Sequence, residues 1–268
     1  MGTQGKTDTF NFRYVLCGFF ILLVTYLNII LIKFLFDFGF FSEYVKSFSI
    51  PWVIALPQVF LGIFVLYGIK TGRLPHNIIN FRKPSWIQVI FSISVVLINF
   101  LFIYVYLMIV ADLGINIIVP SMVPQDILGY GVVLYINLLT ICLFVPIIEE
   151  VFFRGFLLNA FIGKMKFIYA VLVSSGIFAI MHGSIGFFVP VFFSSVMISF
   201  LYYKTKTIWT PIIVHSLQNL IVALSFVLQK FPNPFQLHQL HYIFYLHDEP
   251  RVYILLIYQK LGLLHFHL

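Results

Sequence analysis

Apolar residues run through this chain in blocks long enough to cross a hydrocarbon layer about 30 Å thick, separated by short polar breaks. The blocks fall near residues 14–36, 50–69, 86–110, 130–148, 167–182, 186–203 and 208–229. Each predicts a transmembrane helix. The fold class that follows is all-α, a polytopic transmembrane helical bundle with about 7–8 spans. The eighth would come from RVYILLIYQKLGLLHFHL in the tail, which Lys260 interrupts. The fourth block does not end at its first charges. VFFRGFLLNAFI carries helical apolar spacing on to Gly163, so span and continuation form one long helix, or two joined at a kink near Pro146. No polar stretch long enough to fold separately breaks the series, and no internal repeat supports an inverted-repeat transporter. The chain therefore reads as a single membrane-embedded domain over residues 1–268.

Composition strengthens that picture. The 268 residues are 61% hydrophobic, 19% aromatic and only 9% charged, with a mean hydropathy of +1.03, far from soluble usage. A net charge of +7 would ordinarily raise the question of nucleic acid, but the bases sit in short loops between apolar blocks. Lys70, Arg73, Arg82 and Lys83 mark one loop, Lys164 and Lys166 another, Lys204 and Lys206 a third. The positive-inside rule puts these loops, with Lys6 and Arg13, on the cytoplasmic side. The expectation is a multi-pass cell-membrane protein with a cytoplasmic N-terminus, a retained first span, and the connection 111–129, which carries Asp112 and Asp126, outside. Cys17 and Cys142 lie inside apolar blocks and offer no disulfide framework. Tyr202, Tyr203 and Trp209 bracket Lys204 and Lys206 in the manner of an interfacial aromatic belt. Asn28, Asn99 and Asn137 lack ionisable neighbours at helical spacing and read as interhelical hydrogen-bonders.

Six polar groups inside the apolar blocks require a different account: Glu149, Glu150 and Arg154 in IIEEVFFRG, His182 in FAIMHG, and His215 with Asn219 in HSLQN. A charged group near the centre of a membrane helix costs about 2.5–3.5 kcal/mol on insertion scales, so a cluster of them points to function. At about 1.5 Å per residue, Glu149 lies about 22 Å from Lys164 and His182 about 24 Å from Lys166. His215 and Asn219 lie about 14 and 20 Å from Lys206 on the same measure. All three anchors are cytoplasmic loops, so the groups share one slab, and a common polar pocket satisfies them most economically. This depth also argues against an ion-pair cluster at a helix end. At 100° per residue Glu150 and Arg154 are about 40° apart and should pair, whereas Glu149 is about 140° from Arg154. Glu149 is then the carboxylate left to act as a general base. His215 and Asn219, four apart, present donors on one face that suit an oxyanion. Phe178 stands under His182 by the same spacing.

In order and on separate helices, EEVFFRG, FAIMH and HSLQN resemble the EExxxRG, FxxxH and HxxxN motifs of the CPBP intramembrane proteases. That family groups type II CAAX prenyl endopeptidases with bacteriocin-processing and immunity proteins, also called Abi. The resemblance covers roughly residues 130–225 and implies hydrolysis of a peptide bond by a glutamate-activated water. Glu149 would be the base, His182 would help hold the water, His215 and Asn219 would be oxyanion donors, and Glu150 with Arg154 a structural ion pair. The implied partners are a membrane-associated peptide or protein substrate and the lipid bilayer, with no nucleic acid. No HExxH is present and Arg154 adds positive charge, so no cofactor is expected; zinc held by the glutamates and histidines is the alternative. His238 and His241 have metal-ligand spacing only of an adventitious kind. Two further readings stand beside the peptidase, a non-catalytic bacteriocin immunity or membrane scaffold protein and a proton-coupled transporter.

Overall fold

Every long apolar block among the described residues folds as a helix. The computed structural model describes residues 12–39, 43–115 and 128–230. Seven helices cover them: α1 (Phe12–Asp37), α2 (Glu43–Lys70), α3 (Trp86–Asp112), α4 (Gly131–Ile162), α5 (Phe167–Ile180), α6 (Ile185–Thr205) and α7 (Trp209–Lys230), with no strand among the described residues. Four stretches are long and apolar enough to cross a membrane: Arg13–Ile32, Trp86–Asp112, Gly131–Ile162 and Ile185–Thr205. Ala55–Lys70 and Phe167–Ile180 are shorter apolar helices. The eighth block of the tail, with His238 and His241, lies outside the described residues, as does most of the connection 111–129.

Helix α4 is the one long helix the spacing allowed, and its irregularity comes from π-helical stretches at Thr140–Phe144 and Val151–Leu158. Glu149 and Glu150 close the six-residue α-helical piece between them, Val145–Glu150. Such widened turns rotate the side chains that follow out of the regular helical register, and they recur at functional sites. All eight residues of Val151–Leu158 are buried, which makes this stretch the trunk of the bundle.

Lipid tails are as apolar as leucine, so the helices gain little from excluding water and associate through close packing and interhelical hydrogen bonds. Aromatic rings fill the contacts: Tyr14 of α1 stacks on Phe64 of α2 at 4.4 Å, Phe64 meets Phe156 edge-on at 5.3 Å, and Phe153 meets Phe178 of α5 at 4.8 Å. At Gly155 a β-carbon would stand 3.2 Å from the side chain of Ile79, so glycine lets the α2–α3 loop close on the trunk. Helices α3, α6 and α7 pack against one another around Val95, Val96, Ile198, Leu201 and Val214.

Polar residues also tie α3, α6 and α7 together. Asn99 donates to Ser194 Oγ at 3.3 Å and Ser194 to Gln218 Oε1 at 3.0 Å, so Asn99 makes the expected interhelical contact. Asn28 instead donates to the Val24 carbonyl one turn back in its own helix, because its side chain faces outward. Asn137 donates to the Leu128 carbonyl just ahead of α4. The aromatic belt also needs correction, since Tyr202 is buried and accepts from Asn159 Nδ2 at 3.0 Å. Tyr203 does sit under the Lys206 ammonium at 3.7 Å, and the Trp209 indole donates to the Phe81 carbonyl.

Candidate active site

Consecutive residues on a helix face 100° apart, and the two glutamates accordingly meet different neighbours. Glu150 is fully buried. Its Oε1 accepts from Arg154 Nη1 at 2.9 Å, one turn along α4, and from His215 Nδ1 of α7 at 2.8 Å. Arg154, 1% exposed, turns its other terminal nitrogen to Ser195 of α6, donating to Oγ at 2.8 Å and to the carbonyl at 3.2 Å. Its guanidinium lies 4.8 Å from the centre of the Phe178 ring. A buried charge is tolerable when paired and hydrogen-bonded on several sides, and three helices supply those partners here. The Glu150–Arg154 pairing expected from the 40° separation is therefore present.

Glu149 faces the other way. Its Oε1 accepts from Gln58 Nε2 of α2 at 2.8 Å, and its Oε2 lies 3.8 Å from His215 Nε2. Its side chain is 13% exposed where that of Glu150 is 0%, so it is the carboxylate that something entering from outside can reach. His215 thus stands between the two. A carboxylate paired with arginine can only accept, so His215 Nδ1 carries a proton and Nε2 is the nitrogen turned toward Glu149.

His182 requires a correction. It lies not on a span but in the turn just past α5, which ends at Ile180. The cause is Gly183, whose φ of +68° breaks the helix, while His182 N and Gly183 N bond back to the carbonyls of Ala179 and Ile180. The imidazole is exposed and its Nδ1 donates to the Phe178 carbonyl at 2.9 Å, which leaves Nε2 as an open acceptor. Phe178 is the hinge of the arrangement. Its ring packs on His182 at 4.8 Å and edge-on against His215 at 5.7 Å, besides carrying Arg154.

Asn219 lies one turn along α7 from His215, and its Nδ2 donates to the Ile141 carbonyl at 2.9 Å. That carbonyl belongs to the first π-helical stretch, where Val145 N reaches back five residues to Thr140. The next donor in that pattern would be residue 146, and proline has none. Asn219 supplies the missing hydrogen bond, and its amide keeps a second N–H for other work.

The six predicted residues thus fall on three segments that converge at α4. Two participants were missed. Gln58 was one polar residue in an apolar block with nothing beside it to mark it, and Ser195 resembles the other serines of α6. Among the described residues, no three His, Cys, Asp or Glu side chains are disposed to hold a metal ion.

Residues 131–221 match the family model of the Rce1-like type II CAAX prenyl endopeptidases. Over 79 residues the chain is 37% identical to YdiL of Bacillus subtilis (strain 168), a candidate membrane peptidase, which covers 30% of this chain and 32% of that protein. Over 86 residues it is 43% identical to the membrane-embedded CAAX protease MroQ of Staphylococcus aureus (strain USA300), covering 30% of this chain and 34% of that one. The match therefore spans about a third of the length of these curated relatives. No solved structure matches the chain significantly.

Proposed function

From the premise that this chain belongs, through residues 131–221, to the Rce1-like type II CAAX prenyl endopeptidase (CPBP) family, we propose that it is an intramembrane endopeptidase of the glutamate-activated type. It cleaves a membrane-associated peptide or protein, with a cytoplasmic N-terminus and an active site opening into the cytoplasmic half of the bilayer. The observation that carries the reading is the division of labour between the two glutamates. Glu150 is locked by Arg154 and His215, and Glu149 is oriented by Gln58 yet left 13% exposed.

Glu149 takes a proton from a water molecule as its oxygen attacks the scissile carbonyl carbon. The 3.8 Å between Glu149 Oε2 and His215 Nε2 is too long for a direct hydrogen bond and within reach of one shared water. The open Nε2 of His182 accepts a hydrogen bond from the water's other O–H, and that hydrogen stays on the attacking oxygen and ends on the new carboxyl group. Negative charge then gathers on the carbonyl oxygen, where the second N–H of Asn219 can donate. His215 can donate from Nε2 only as the doubly protonated ring, and in that form its charge and that of Arg154 balance the two carboxylates. Collapse breaks the C–N bond, and the proton on Glu149 passes to the departing amine.

The test is cleavage of a fluorogenic membrane-peptide library by detergent-purified protein, comparing wild type with Glu149→Gln. Cleavage lost in the variant while its elution profile and melting temperature hold supports a glutamate-dependent peptidase. Equal cleavage by both proteins would sink it. Inhibition by a chelator that zinc reverses would move the chemistry to a metal.

A further inference from the structure

Gln58 comes from outside the family-matched segment, and through it α2 donates a hydrogen bond to the candidate site. It sits on α2 in PWVIALPQVFLG, 7% exposed, and its Nε2 donates to Glu149 Oε1 at 2.8 Å. Its Oε1 is equally buried and has no hydrogen-bond partner among the described residues. A buried carbonyl oxygen left bare costs about 1–3 kcal/mol, so its persistence beside a candidate base calls for a use.

Chemistry supplies one. A carboxamide has a donor end and an acceptor end of nearly the same shape. Ionised Glu149 can only accept, and takes a hydrogen bond from the Nε2 end. Once Glu149 has taken a proton it becomes a donor, and the same amide, turned over by 180°, offers Oε1. No hydrogen bond to Oε1 among the described residues opposes that turn. We infer that Gln58 is the positioning residue that holds Glu149 in place through both protonation states, so that a proton can be received and handed on without the carboxylate swinging out of line. This rests on the peptidase reading for its purpose, though the contact itself does not. An aliphatic side chain at this position could hold neither state, and a carboxyl could hold ionised Glu149 only while itself protonated.

The experiment has a kinetic and a spectroscopic arm on the full-length protein in detergent. Gln58→Leu is expected to lower kcat about 10–100-fold, the range seen when an orienting partner is removed, with KM nearly unchanged. Gln58→Glu is expected to recover activity on the acid side of the pH profile and lose it as the introduced carboxyl ionises. A packing defect would not produce that displacement. In the infrared arm, the Glu149 bands are those absent from Glu149→Gln, and both its carboxylate band at high pH and its carboxylic acid band at low pH are expected to shift in Gln58→Leu. Bands unmoved by Gln58→Leu, or a kcat equal to wild type in a protein that cleaves, would overturn the inference. Should wild type and Glu149→Gln prove equally inactive, the peptidase reading fails by itself, and the infrared bands still decide whether Gln58 holds Glu149 in both states.

Discussion

Two layers meet at Glu149 and Glu150, and they differ in almost every physical respect. Around Glu150 each side chain is buried and engaged: Arg154 on the carboxylate, Ser195 on Arg154, His215 Nδ1 on the same carboxylate oxygen, Phe178 beneath the guanidinium. Around Glu149 the contacts are fewer and more open, with one amide from Gln58 and one imidazole nitrogen at 3.8 Å. A charge buried without partners would be intolerable, and a base fully engaged by partners could not react. Two consecutive residues meet both constraints in the proposed peptidase, because one helical step turns the second carboxylate toward a different set of helices. On that proposal, rigidity on one side supports reactivity on the other.

The comparison breaks most visibly at Glu149. Replacing it with glutamine removes the proposed base while keeping size and the partnership with Gln58, and the expected loss in kcat is about 10²–10⁴-fold. In barrier terms this is roughly 3–5.5 kcal/mol. Stability, read from the melting temperature, is expected to stay near wild type. If Glu149→Gln instead unfolded the protein, the open layer would be structural after all.

Next in size is Arg154→Ala, where the damage should fall on the fold. Removing one member of a buried pair leaves an uncompensated charge and costs about 3–5 kcal/mol. Equilibrium unfolding in mixed micelles measures it, and a variant that remained as stable as wild type would show that the layer around Glu150 is not held by this pair.

Much of this division was legible in the sequence, and what was not shares one cause. Apolar runs marked the helices, and the Glu150–Arg154 pairing followed from helical angles alone. Both depend on residues close together in the chain. His182 was misplaced on a span because an apolar run predicted helix through it, although the glycine directly after it carried the stop signal. Gln58 and Ser195 stayed hidden because their partners lie 91 and 41 residues away in sequence. A lone polar residue in an apolar block shows that it needs a partner without showing which. The bond from Asn219 to Ile141 was hidden more deeply, since its acceptor is a backbone carbonyl made available by a proline and a π-helical turn.

Asn219 combines a structural hydrogen bond to the Ile141 carbonyl with a proposed role in the reaction, and should show a mixed effect. Asn219→Leu strands the Ile141 carbonyl, for about 1–3 kcal/mol of stability, and also withdraws the proposed oxyanion donor. Asn219→Asp keeps the shape of the side chain but replaces its donors with acceptors. If Asn219 serves only the carbonyl, both variants lose stability and retain kcat per folded molecule. If it also faces the reaction, kcat falls as well, and a Michaelis–Menten series corrected for folded fraction separates these outcomes.

The smallest expected effect gives the finest test of whether the layers are separable. Ser195→Ala removes the hydroxyl that accepts from Arg154 at 2.8 Å, but Arg154 keeps the Ser195 carbonyl at 3.2 Å and Glu150 at 2.9 Å. The loss should therefore be about 1 kcal/mol, at the low end for a hydrogen bond to a charged group. It should appear in unfolding and leave cleavage near wild type, because Ser195 reaches Glu149 only through Arg154, Glu150 and His215. A fall in kcat approaching that of Glu149→Gln would mean that a small displacement of Arg154 travels through His215 to the reacting carboxylate. The locked layer would then be setting the geometry of the open one as well as neutralising its charge, and the contrast between the two glutamates would become a coupling.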